Sequence, residues 1–144
     1  MRERGAVIII RDGEVALIRR SHGGSSYFLF PGGMVETGET VEQAAVREAW
    51  EELGLHVTLG RLVAICERNS SLQYHFLATI QGGEFGAGTG EELHHSPESE
   101  RGSYTPCWLP VKELLDHDVR PRPLAQAIHE GSIATLTSPL RMVD

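Results

Sequence analysis

Glu48, Glu51 and Glu52 stand at i, i+3 and i+4 of a segment with helical periodicity, so three carboxylates share one helix face. Like charges so placed repel by roughly a few tenths of a kcal/mol per pair, and by more where they are partly buried. Glu36, Glu39 and Glu42 bring residues 31–55, "PGGMVETGETVEQAAVREAWEELGL", to six acidic side chains, while Arg47 is the only basic residue between Arg20 and Arg61. One guanidinium locks one or two carboxylates through a forked hydrogen bond but does not neutralise six. A divalent metal remains as the compensating cation, and hard carboxylate oxygens suit Mg²⁺ or Mn²⁺. A Glu-rich helix face taken alone reads as solvated surface; the residues around it change that reading.

The elements that must position these acids are legible. Thr40 and Gln43 form a capping box, Val41, Ala44, Ala45, Val46, Ala49 and Leu53 an apolar stripe, and Gly54 a C-terminal cap, which predicts a helix over 41–53. Upstream, "RGAVIII" and "EVALIRR" flank Asp12-Gly13 and predict a β-hairpin. "SHGGSS" reads as a loop, "YFLF" as a short strand, and Pro31-Gly32-Gly33 as a sharp turn. Downstream, "LHVTLGRLVAICER" and "SLQYHFLATI" predict an antiparallel pair joined at Asn69-Ser70-Ser71. Residues 82–103 read as a long loop, "YTPCWLP" as a strand entering a short helix "VKELLDH" behind Pro110, and 121–130 as a helix stopped by Gly131. The class is α+β with a mixed sheet, expected as one domain over 1–144.

Thirteen basic against twenty acidic residues give a net charge of −7, which disfavours nucleic acid as a partner. The charge does not exclude a phosphate chain, because metal ions can sit between carboxylate and phosphate. Cys66 and Cys107 lie far apart without metal-type spacing and are expected reduced. The N-terminus lacks a signal-peptide pattern and no apolar run approaches the ~20 residues of a membrane span. The expectation is a soluble, cytoplasmic protein. A P-loop is ruled out, since no Gly-Lys-Ser/Thr follows the Gly-rich turn.

Gly33, five residues, Glu39, seven residues, Arg47-Glu48, apolar Ala49, one residue, Glu51-Glu52, one residue, Gly54 and apolar Leu55 match the signature of the Nudix hydrolases, the MutT-like family, at every position. Seven fixed letters would arise by chance with a probability on the order of 10⁻⁹ per window. "FLFPGG" and "YTPCWLPVKELL" resemble the family's strand before the signature and its late strand entering a helix. The resemblance implies the Nudix fold, an α/β/α sandwich with a central mixed β-sheet.

It also implies a metal-dependent pyrophosphohydrolase acting on a nucleoside diphosphate linked to another moiety. The first candidates are (d)NTPs or related nucleotides, oxidised forms included. The alternatives are a dinucleoside polyphosphate, an NDP-sugar or ADP-ribose. By the same resemblance Glu48 and Glu52 bind the metal, Mg²⁺ with Mn²⁺ as substitute, and Glu51 is a further ligand or the metal-polarised base. Arg47 orients a carboxylate, Glu39 has an outer or secondary metal role, and a backbone carbonyl near Gly32 and Gly33 serves as a ligand. The general base is a glutamate of the signature or a later acid, with Glu98 and Glu100 tested before Glu91 and Glu92; His94-His95 reads as a plain loop pair.

A side-chain-free Gly32-Gly33 lets phosphate and metal approach the backbone. Phe28, Phe30 and Tyr74 are the aromatics offered to a base, with Tyr27 and Phe76 also near, and Arg19 and Arg20 read as surface arginines. "ICERNSSLQYHF" lacks the Pro that many ADP-ribose hydrolases carry there, and the coenzyme A pyrophosphatase pattern is absent. A non-catalytic nucleotide sensor, an isopentenyl-diphosphate-type isomerase and an enzyme acting on RNA ends are less favoured. A homodimer is frequent in the family.

Overall fold

The computed structural model describes residues 1–90 and 102–144. In chain order the elements are β1 (Arg2–Ile8), β2 (Ile10–Arg11), β3 (Glu14–His22), β4 (Ser25–Leu29), β5 (Gly32–Met34), α1 (Val41–Leu53), β6 (Leu55–Arg68), β7 (Ser71–Gly83), β8 (Ser103–Pro110), β9 (Val119–Arg120), α2 (Arg122–Glu130) and β10 (Leu140–Val143). Short 3₁₀ helices at Val111–Asp116 and Ser132–Thr135 flank β9 and α2. One mixed sheet runs β10-β6-β7-β1-β5; a second centres on β3, which pairs with β2, β4 and β8, with β9 parallel to β4.

Helices cover two sides of these strands. Val7, Ile9, Ala16 and Ile18 pack with Ala45, Ala49 and Leu53 of α1, whereas Ile8, Val15 and Leu17 pack with Leu124, Ala125 and Ile128 of α2. Successive side chains of a strand point to opposite faces, and here both faces are buried, so the strands read as unbroken apolar runs. The expected layering of helix, sheet and helix is therefore present, with the mixed sheet divided in two.

Several expectations hold closely. The helix over 41–53, the strand over 55–68 with its antiparallel partner, and the Gly131 stop are all found, while the partner strand expected over 71–80 runs on to Gly83, into the stretch read as loop. The hairpin does not extend as expected: Asp12 and Gly13 adopt the positive φ the turn requires, 53° and 76°, but only β2 pairs with β3. β1 instead lies parallel to β7 and antiparallel to β5, because both of its faces must be buried and the hairpin alone leaves one exposed. The loop expected at 21–26 shrinks to Gly23-Gly24, and the turn at Gly32-Gly33 is a strand. β9 and β10 carry too few residues for a period and are held at sheet edges by their neighbours. Cys66 and Cys107 are free thiols, and among the described residues no helix is long and apolar enough to cross a membrane.

Gly5 sets how closely α1 approaches the sheet. A Cβ there would collide with the Val41 carbonyl and lie 2.7 Å from the Ala45 nitrogen, both helix backbone and unable to give way. Gly5→Ala is expected to lower stability by about 1–3 kcal/mol, read from the urea denaturation midpoint. An unchanged midpoint would mean that the helix is free to retreat.

Candidate active site

The capping box fixes where α1 begins: Gln43 N donates to Thr40 Oγ1 at 3.1 Å and Thr40 N to Gln43 Oε1 at 2.9 Å. Gly54, left-handed at φ 76°, closes the other end by donating its N–H to Trp50 O at 2.9 Å. Between these caps, Glu48 and Glu52 sit one turn apart on the side facing β5. Gly32 N donates to Glu52 Oε1 at 2.7 Å, and Glu52 is buried. The Glu48 carboxylate lies against Gly33, where a Cβ would overlap it.

Arg47 turns to the opposite edge of this group and uses every N–H direction it has. Nε and Nη2 grip Glu39 at 2.8 and 3.1 Å, and Nη2 also reaches Met34 O at 2.9 Å. Nη1 donates to Glu48 Oε1 at 2.9 Å and Glu51 Oε1 at 2.8 Å. Three carboxylates are thus locked, not the expected one or two, and these contacts raise the pKa of the guanidinium further. The same guanidinium holds the Glu39 carboxyl below the ordinary carboxylate value. Glu36 is largely exposed at 3.5 Å from Arg47, and Glu42 is exposed, in line with surface charges.

Glu48 and Glu52 line a cleft of 690 Å³ between the two sheets, together with Gly32, Gly33 and Arg47. Glu51 and Glu39 stand behind, on Arg47, and are not among its lining residues. Among the described residues no three carboxylate, imidazole or thiol groups converge as a ready metal cage. The donor set nonetheless suits a hard divalent ion, since two carboxylates stand beside the glycine pair at the cleft. The space freed by the missing side chains is used by the fold itself: the Glu48 carboxylate fills it at Gly33, and a Cβ on Gly32 would lie 2.6 Å from Ala6 Cβ and from Gly5 O.

Of the aromatics expected near a base, Phe30 and Tyr27 reach the cleft, and Phe30 is 3% exposed with its ring edge-on to His75. Phe28 packs into the core beneath α2 and meets His117, because its strand face points away from the opening. Tyr74 faces the α1 side and donates its hydroxyl to Glu3 at 3.1 Å. Glu98 and Glu100, with Glu91, Glu92, His94 and His95, lie outside the described residues.

The larger surprise is positive charge. Arg2, Arg4, Arg20, Arg68 and Arg120 line the cleft with Arg47, six of the thirteen basic residues of the chain. On the wall formed by the second sheet, Arg120 lies 4.0 Å over the Tyr27 ring and is forked by Asp118, and Arg20 lies 4.8 Å over Tyr104 and donates to Tyr27 OH at 3.1 Å. Strand alternation placed Arg2 and Arg4 on one face in advance. Which face meets the cleft depends on pairing with β5 and β7.

The family profile of the NUDIX domain matches residues 1–129, and the chain belongs to the Nudix family. An ADP-ribose pyrophosphatase of Methanocaldococcus jannaschii is 38% identical over 88 residues, 56% of this chain and 52% of that protein. A CTP pyrophosphohydrolase of Escherichia coli K12 is 44% identical over 68 residues, 46% of this chain and 50% of its own length. The crystal structure of an ADP-ribose pyrophosphatase from Streptococcus suis superposes with a TM-score of 0.65 at 19% identity, covering 99% of this chain and 98% of the other, and shows the shared fold. The chain spans about half, and in other cases about a third, of the length of the curated relatives it matches.

Glu39 ties stability to pH. Its folded-state pKa is the lower one, so the unfolded state binds more protons in acid; the stabilisation is present above the ordinary value of 4.5 and is lost as pH falls through the folded-state value. Glu39→Gln is expected to be less stable than the parent at about pH 7 and to lose less on acidification to about pH 3. Equal losses in a pH series of denaturation curves would remove Glu39 from this role.

Proposed function

We propose that this chain is a divalent-metal-dependent pyrophosphohydrolase for a nucleoside diphosphate linked to a further group, with a (d)NTP or related nucleotide as the first substrate class. The observation that carries the reading is the juxtaposition of Glu48 and Glu52 with arginines in one cleft. A diphosphate brings several negative charges, and a site able to take it needs cations on more than one side. The arginines supply the fixed ones.

Glu48, Glu52 and the backbone at Gly33 would hold the ion, Mg²⁺ or in its place Mn²⁺, with Glu51 and Glu39 nearby. When bound, such an ion neutralises phosphate oxygens and lowers the pKa of coordinated water. The protein's own contribution is positional. Arg47 fixes the Glu48 and Glu51 carboxylates, and the Gly32 N–H fixes that of Glu52, so none of the three relies on a mobile rotamer. The proton acceptor is Glu51 or Glu52, or else Glu98 or Glu100. Phe30 and Gly32 border the substrate, and activity resides in a single domain that works in the cytoplasm.

Hydrolysis of a larger derivative, an NDP-sugar, ADP-ribose or a dinucleoside polyphosphate, is the second reading. It is favoured by arginines on both walls of the cleft and by the name of the M. jannaschii relative. Phosphate and pyrophosphate release, measured on (d)NTPs, dinucleoside polyphosphates, NDP-sugars and ADP-ribose with Mg²⁺ or Mn²⁺, separates the two. Glu52→Gln is expected to lower kcat by at least about 100-fold with an unchanged melting temperature. Near-parental turnover in that variant would end the metal assignment, and tight binding without release across the panel would make the protein a nucleotide sensor.

A further inference from the structure

β7 carries Gln73 at the cleft and His75 two residues on, hence on the same face but buried beneath it. The register sets Gln73 against Arg4 of β1 and His75 against Ala6, one step deeper toward the core. Arg4 Nε donates to Gln73 Oε1 at 2.9 Å, and the amide nitrogen of Gln73 lies 3.3 Å from His75 Nε2. Arginine can only donate, so the amide oxygen belongs to Arg4 and the amide nitrogen to His75. An amide nitrogen also only donates. His75 Nε2 is therefore the acceptor, and the neutral ring carries its proton on Nδ1.

That Nδ1 is buried and has no hydrogen-bond partner among the described residues, and His75 is fully buried. Burial pushes its pKa down to about 3, which keeps the ring neutral at any ordinary pH and leaves the choice of protonated nitrogen to the hydrogen bond from Gln73. An orphaned N–H in the core destabilises, and leucine or phenylalanine would fill the position without that cost. What the imidazole adds is the acceptor at Nε2. Without it, Arg4 alone orients the Gln73 amide, whose NH₂ then loses the acceptor that holds the side chain in place.

We propose that His75 and Gln73 are positioning residues that aim Arg4, through a directed chain of hydrogen bonds, at the phosphates of the substrate in the cleft. Gln73 takes only the Nε–H of Arg4, so the terminal amino groups serve the anion, and both residues line the cleft while His75 does not. The inference rests on the functional reading above, and its test separates the two.

With the nucleotide of the panel that is turned over fastest, His75→Leu is expected to raise KM about tenfold while kcat changes less than about twofold. The melting temperature should stay equal or rise. Arg4→Ala should raise KM similarly, and Arg4→Ala with His75→Leu no further than Arg4→Ala alone, since both act through one guanidinium. Gln73→Met, at the cleft surface, gives the same KM increase and serves if His75→Leu fails to fold. An unchanged KM in the single variants, or additive effects in the double variant, would overturn the relay. Imidazole ¹⁵N chemical shifts of the unliganded protein provide a readout that needs no substrate: protonated Nδ1 and bare Nε2 support the relay, and protonated Nε2 refutes it. Absence of turnover on the whole panel would overturn the functional reading and leave that spectrum to decide the relay.

Discussion

Arg47 is the contact on which the arrangement of acids depends. Its guanidinium joins the loop after β5, through Glu39 and the Met34 carbonyl, to its own helix, through Glu48 and Glu51. Partly exposed ion pairs each contribute little, on the order of 1 kcal/mol or less, so its importance is geometric. A planar fork with five donors sets the directions of several carboxylates at once, which an ammonium on a flexible stem cannot do. Like-charged glutamates one turn apart would otherwise splay into solvent.

The helix can receive these constraints because two glycines bring backbones together. Gly5 lets α1 lie directly on β1, and Gly32 lets β5 pair with the same strand from its other side. Glu52 then meets the Gly32 N–H, and Glu48 meets the bare face of Gly33. Close packing, capping and ion pairing act on one short segment, and together they bring two carboxylates to the cleft wall.

Net charge and local charge point in opposite directions. An overall charge of −7 describes the chain as a whole. The cleft still gathers nearly half of the basic residues. Stacking on Tyr27 and Tyr104, and the fork from Asp118, hold two of these arginines along one wall, where they can meet an anion without first paying to be ordered.

Much of this was legible in the chain itself. The helix over 41–53 announces its own ends through Thr40, Gln43 and Gly54, and the spacing of Gly33, Glu39, Arg47, Glu48, Glu51 and Glu52 pointed to the family, because capping and helical periodicity are local and depend on residues a few positions apart. The pairing of β1 with β7 and β5, the strand at Gly32–Met34, the retreat of Phe28 and Tyr74 from the cleft and the gathering of Arg2, Arg4, Arg20, Arg68 and Arg120 were decided only by the tertiary structure. A strand's alternation states that two faces exist but not which neighbour each will meet. That choice is made by register between segments as far apart as residues 4 and 73, where burial of both faces of the sheet selects one pairing.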